Sequence, residues 1–138
     1  MDKLVGITET QKRANLLSNQ IIAAAIEVHR ALGPGLLESA YESCLCQELG
    51  LMKIAFEKQI PIPVIYKGLK LDCAYRIDVI VEKLVVVEIK AVDNLLPIHE
   101  AQLLTYLKLT HLWLGMLINF DTPLVTSSVK RIVNGPGN

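Results

Sequence analysis

Apolar and polar positions change rhythm along this chain, and each rhythm predicts an element. Residues 15–32 carry Leu16, Ile22, Ala23, Ile26, Val28 and Ala31 among polar neighbours, the spacing of an amphipathic helix. Gly33-Pro34-Gly35 should stop it. A second helix is predicted over 36–49, with Leu37, Tyr41, Cys44, Leu45 and Leu49 as its apolar stripe and Gly50 as its end. From Ala55 to Ala91 β-branched residues take over. Strands are predicted at about 54–66, 69–73, 75–82 and 84–91, the first interrupted or at a sheet edge because of Pro61 and Pro63. Pro97 suits the first turn of a helix running to about Thr110. Residues 112–119 are a continuous apolar run, as in a strand covered on both faces. A last strand is expected within 124–133, and the tail 134–138 should fray. Helix, helix, strands, helix, strands describes an α/β chain with one mixed sheet flanked by helices.

Composition narrows what such a chain does. Its 138 residues predict one domain over 1–138, and 51% apolar residues exclude a disordered one. Fourteen basic and fourteen acidic side chains cancel, which removes the simplest argument for a nucleic-acid partner, a large basic excess. No apolar run is long enough to span a bilayer, and residues 1–20 are too polar for a signal peptide, so a cytoplasmic protein without a membrane partner is expected. Cys44, Cys46 and Cys73 lack metal-site spacing and read as small hydrophobes kept reduced.

The candidate chemistry lies in the middle of the predicted sheet. Tyr75 to Lys90 contains two apolar strands interrupted by Asp78, Glu88 and Lys90. Side chains alternate along a strand, so Glu88 and Lys90 share a face, about 7 Å apart. If Asp78 pairs opposite Glu88, one face of the hairpin collects Ile77, Val79, Val81, Val85, Val87 and Ile89 and is wholly apolar. A slip by one residue would bury an unpaired carboxylate among those valines, so the first register is favoured. Two facing carboxylates repel unless a cation sits between them. Lys90 would supply one charge, as a simple ion pair. Mg²⁺ would supply two, with its shell completed by waters, a substrate phosphate and the Ile89 carbonyl. Spacing alone fits either.

Three further residues stand out. Glu38 interrupts the apolar stripe of the second helix, although a glutamate there also suits the positive helix N-terminus. Gln102 and Tyr106, four apart, share one face of the third helix, which either packs on the sheet or faces the carboxylates. Tyr41 reads as a core aromatic.

Together these blocks resemble a known family. Gly35 to Tyr41 looks like the GxxExxY signature of the small bacterial and archaeal GxxExxY proteins, and Arg76–Asp78 with Val87–Val92 is similar to that family's second block. Pro97–Leu107 and Gly115–Phe120 are similar to its third and fourth, so the resemblance covers about residues 17–134. The family is placed in the PD-(D/E)xK nuclease superfamily, which implies a restriction-endonuclease-like core. That core is a helix, a three-stranded antiparallel meander, a second helix and a further strand, here with an extra helix in front. By the resemblance Asp78 and Glu88 would be metal ligands and Lys90 the superfamily lysine, with Ile77 standing where a proline is usual. Gln102 and Tyr106 are similar to the QxxxY element of RecB-like nucleases, and Glu38 would be the acid contributed by the first core helix.

The resemblance therefore implies a nuclease dependent on Mg²⁺ (or Mn²⁺) that hydrolyses phosphodiester bonds in DNA or RNA. Catalytic candidates are Asp78, Glu88, Lys90, Glu38, Gln102 and Tyr106; metal candidates are Asp78, Glu88, Ile89 and Glu38. A core this small, with no recognisable nucleic-acid-binding domain, usually needs a protein partner or a second copy to grip substrate. The rival reading is a catalytically weak or silent module that keeps the fold for nucleic-acid binding or assembly. A nucleotide hydrolase has little support, because Gly33-Pro34-Gly35 is too short to cradle phosphates.

Overall fold

The first helix begins before its apolar stripe does. In the computed structural model, which describes residues 7–71 and 75–135, α1 runs from Glu9 to Leu32. Thr8 and Gln11 form a reciprocal capping box, each backbone N–H donating to the other's side chain at 3.1 Å. Two of the helix's free N–H donors are satisfied there, which explains the early start. The second helix, α2, spans Glu38–Leu51, so Gly50 lies inside it rather than past its end. The left-handed residue that closes it is Lys53, with φ 60°, and Ile54 N–H reaches back to the Leu49 carbonyl at 2.9 Å.

The long first strand divides where the prolines predict. Strand β1 is Phe56–Pro61, and β2 (Val64–Tyr66) pairs with β3 (Leu69–Leu71) as a separate hairpin. The remainder of the strand expected over 69–73, including Cys73, lies outside the described residues. Then come β4 (Arg76–Val81), β5 (Val85–Lys90), α3 (Pro97–Thr110), β6 (Leu114–Asn119), a 3₁₀ turn at Val125–Ser128 and β7 (Val129–Val133). Strands β1-β4-β5-β6-β7 form one five-stranded mixed sheet, and only the β5–β6 pairing is parallel. That pair needs a crossover, which α3 supplies. The result is the restriction-endonuclease-like plan: an antiparallel meander β1-β4-β5, with the β2–β3 hairpin inserted in it, then α3 and β6. The tail is anchored through Asn134, whose N–H donates to the Trp113 carbonyl at 2.8 Å; residues 136–138 lie outside the described part.

Two cores hold the layers. Helices α1 and α2 cover one sheet face, burying Leu17, Ile21, Tyr41, Leu45 and Leu49 against Val79, Val85, Val87, Ile89 and Met116. Helix α3 covers the other with Leu103, Tyr106 and Leu107, packed on Ile80, Val86 and Leu117. The predicted apolar face is right for Val79, Val81, Val85, Val87 and Ile89, but Ile77 instead joins Ile62 and α3 in the second core. The regular β4–β5 ladder ends at Val79–Val87, so strict alternation does not carry through Asp78 to Ile77. Cys46 is buried and Cys44 half-buried, both as thiols.

Candidate active site

Strand β5 is buried along almost its whole length, so any carboxylate on it must find donors inside the protein. Residues Val79, Ile80 and Val81 pair with Val87, Val86 and Val85, and one further step of that register sets Asp78 opposite Glu88. There the carboxylates replace the ladder. Asp78 N–H donates to Glu88 Oε2 at 2.9 Å, and Ile89 N–H donates to Asp78 Oδ2 at 2.8 Å. The turn that sets this register has no glycine or asparagine. Glu82 and Lys83 instead take φ 48° and 56°, as a type I′ turn requires, and Arg13 of α1 holds Glu82 by an ion pair at 2.8 Å.

Electrostatics make the pair costly. Glu88 is only 5% exposed, and its carboxyl is pushed up to about 8, first by burial and then by the charge of Asp78. The Asp78 N–H and Lys90 pull in the other direction. Burial also raises the Asp78 carboxyl, against the Ile89 N–H and Lys90. Lys90 follows on the same strand and makes no ion pair among the described residues, so neither carboxylate neutralises it directly. Glu38, at the first turn of α2, accepts the Ala91 N–H at 3.0 Å, and its charge raises both Asp78 and Glu88. On α3, Gln102 Nε2 donates to the Tyr106 hydroxyl at 3.1 Å. Burial raises that hydroxyl first, and then the charges of Glu88 and Asp78, so α3 faces the carboxylates as well as packing on the sheet. All six side chains singled out in the sequence thus gather around the ends of β4 and β5.

Tyr41 supports this arrangement from within the core. Its ring stacks on Phe120 at 4.6 Å; its hydroxyl donates to the Gly33 carbonyl at 2.6 Å and accepts Leu36 N–H at 3.1 Å. The tyrosine therefore ties down the turn that leads into Glu38. Buried Asn119 does the same beyond Lys90, its side chain accepting Val92 N–H at 3.0 Å and donating to the Val92 carbonyl at 2.8 Å. Nothing in the spacing had marked Asn119.

Two polar residues beside the carboxylates had also gone unnoticed. Gln59 falls opposite Asp78 in the β1–β4 ladder, which skips that position, and takes φ 51°. Its Nε2 donates to Glu42 Oε1 at 2.7 Å and reaches Asp78 Oδ1 at 3.5 Å. Burial raises the Glu42 carboxyl first, against the Gln59 bond, and the charge of Asp78 adds to the rise. Glu42 sits four residues after Glu38, so helical spacing would have found it. Gln59 is one of several polar residues on an edge strand and carried no such signal.

Comparison with protein-family models matches residues 15–132 to the PD-(D/E)XK nuclease superfamily. The chain belongs to the PD-(D/E)XK nuclease superfamily. Comparison with curated proteins and with solved structures returns no match. Membership points to nuclease function, and nucleases of this superfamily typically use divalent metals. In this chain the donors at the site are carboxylate oxygens, the class that Mg²⁺ and Mn²⁺ prefer. A divalent cation would also offset the charge of Asp78 on Glu88 and that of Glu38 on both. Among the described residues, however, no three His, Cys, Asp or Glu side chains converge closely enough to hold an ion by themselves. Two carboxylates fit a cation completed by water and substrate, as Mg²⁺ often is. No helix among the described residues is long and apolar enough to cross a membrane.

Proposed function

We propose that the chain is a nuclease, dependent on Mg²⁺ (or Mn²⁺), that hydrolyses phosphodiester bonds in nucleic acid. The observation that carries this reading is the Asp78–Glu88 pair, with Glu88 buried and Asp78 half-buried: two carboxylates locked by backbone N–H groups, beside a lysine that makes no ion pair among the described residues. Asp78 and Glu88 would hold the metal with the Ile89 carbonyl, and Glu38 would join through water. Bound there, a divalent cation would act as a Lewis acid on the phosphate and lower the pKa of attacking water.

The chain's own groups do the rest. Lys90 makes no ion pair among the described residues, so its ammonium is available to orient water and offset the growing negative charge on phosphate. Gln102 and Tyr106, already bonded to one another, present an amide and a phenol toward substrate. Gln59 of β1, itself held by Glu42 of α2, reaches the Asp78 carboxylate. Burial of the pair excludes bulk water from one side and strengthens each of these interactions.

The deciding experiment measures cleavage of single- and double-stranded DNA and RNA with and without Mg²⁺ or Mn²⁺. Lys90→Ala and Asp78→Asn should each lower kcat by at least about a hundredfold, in the range of lost electrostatic stabilisation. Cleavage that survives both substitutions would sink the mechanism. One observation favours the rival module: among the described residues no three acidic side chains surround a common point. Nucleic-acid binding without turnover at millimolar metal would select it.

A further inference from the structure

Beside the carboxylates lies a cavity of about 270 Å³ between the β2–β3 hairpin and α3. Val64 and Leu71 line it from the hairpin, Leu109 and Thr105 from α3, and Tyr75 and Tyr106 add aromatic rings. Its surface is predominantly apolar, and Gln102 adds one amide. We propose that this cavity receives a single unstacked nucleobase of a single-stranded nucleic acid whose neighbouring phosphate lies at Asp78 and Glu88. The phosphate's position rests on the nuclease reading above; the base site does not.

The lining chemistry selects the ligand. Among the described lining residues a phosphate or sugar finds no cation and few polar atoms, whereas a flat ring with a polar edge finds apolar walls, aromatic faces and an amide. Gln102 spends one amide N–H on Tyr106 and its Oε1 accepts no hydrogen bond among the described residues, leaving an acceptor for an exocyclic amino group. The volume falls just short of drug-sized pockets, about 300–1,000 Å³, so it suits one ring system rather than a dinucleotide.

Location and charge agree. Tyr106 belongs to both places: it lines the cavity, and its hydroxyl feels Glu88, Asp78 and Tyr75. A base seated against Tyr106 therefore has its backbone next to the carboxylates. The chain is neutral as a whole, yet residues 58–77 carry Lys58, Lys67, Lys70 and Arg76 against one acid, Asp72. A basic segment that contains the hairpin of an apolar, aromatic base pocket matches the usual grip on a single strand. A paired base cannot enter without leaving its duplex, so single strands and frayed ends should be preferred.

The test uses the full chain without divalent metal and a single-stranded oligonucleotide carrying 2-aminopurine at successive positions. At one position, saturating protein should change emission at least twofold. Leu109→Trp and Thr105→Trp, which fill the cavity, should abolish that change while thermal melting shows both variants folded. An abasic site at the same position should weaken wild-type binding at least tenfold. Unchanged emission at every position, emission kept in folded variants, or equal affinity for the abasic strand would each overturn the base site. Binding with the expected emission but no cleavage in Mg²⁺ or Mn²⁺ would refute the nuclease reading and leave the base site standing.

Discussion

At Glu88 a carboxylate lies in the sheet interior with one backbone N–H and a second carboxylate as neighbours. Its folded pKa, about 8, stands above the ordinary value of 4.5. Between those limits the folded chain binds more protons than the unfolded one, so stability is fully present below pH about 4.5 and is lost as pH rises toward about 8. Without metal, the thermal midpoint should fall across that window, and Glu88→Gln should flatten the fall. Millimolar Mg²⁺ or Mn²⁺ should raise the midpoint more at pH 8 than at pH 5, because the ion binds the deprotonated, folded form. A midpoint indifferent to metal at pH 8 would remove Glu88 from the metal assignment. The pattern of apolar strands made Asp78, Glu88 and Lys90 legible as residues, since charges stand out among valines. Their hydrogen bonds were not legible: the Ile89 N–H donating to Asp78 depends on where the ladder stops.

The elements were readable where local chemistry decides them and misread where packing does. Pro61 and Pro63 divided the first strand as expected, because a missing N–H breaks a ladder wherever it falls. Gly50 does not end the helix, since α2 continues through Leu51 and Lys53 takes the left-handed conformation instead. Gly115 shows the opposite case, a residue whose role only packing reveals. A Cβ there would lie 2.8 Å from Leu103 Cδ1, so α3 rests on β6 where a side chain is missing. Leu103 is fully buried and has little room to give. Gly115→Ala should therefore cost about 1–3 kcal/mol, as overpacked cores do, readable by chemical denaturation. Because α3 carries Gln102 and Tyr106, the same variant should also weaken oligonucleotide binding.

Over the whole molecule, neutrality and locality have to be reconciled. An acidic centre repels phosphate by itself, and the cations that would offset it are few and clustered between residues 58 and 77. Those four charges and Lys90 limit counterion release, so log K for a single strand should fall against log salt with a slope no steeper than about −3.5. Affinity titrations at several salt concentrations measure it. A much steeper slope would mean that cations outside this segment, or a second copy of the chain, take part in the grip.

The sequence by itself determined the layers, the meander and the identity of the charged residues. Hydrophobic periodicity, proline and charge contrast are local signals, and each acts within a few residues. Tertiary structure decided the rest: the crossed bonds of Asp78 and Glu88, the approach of Glu42 and Gln59, Asn119 holding Val92, and the cavity shared with Tyr106. The hydrogen bonds among them join residues 10 to 27 positions apart. No local pattern encodes such a distance, because it is set by how sheet and helices pack.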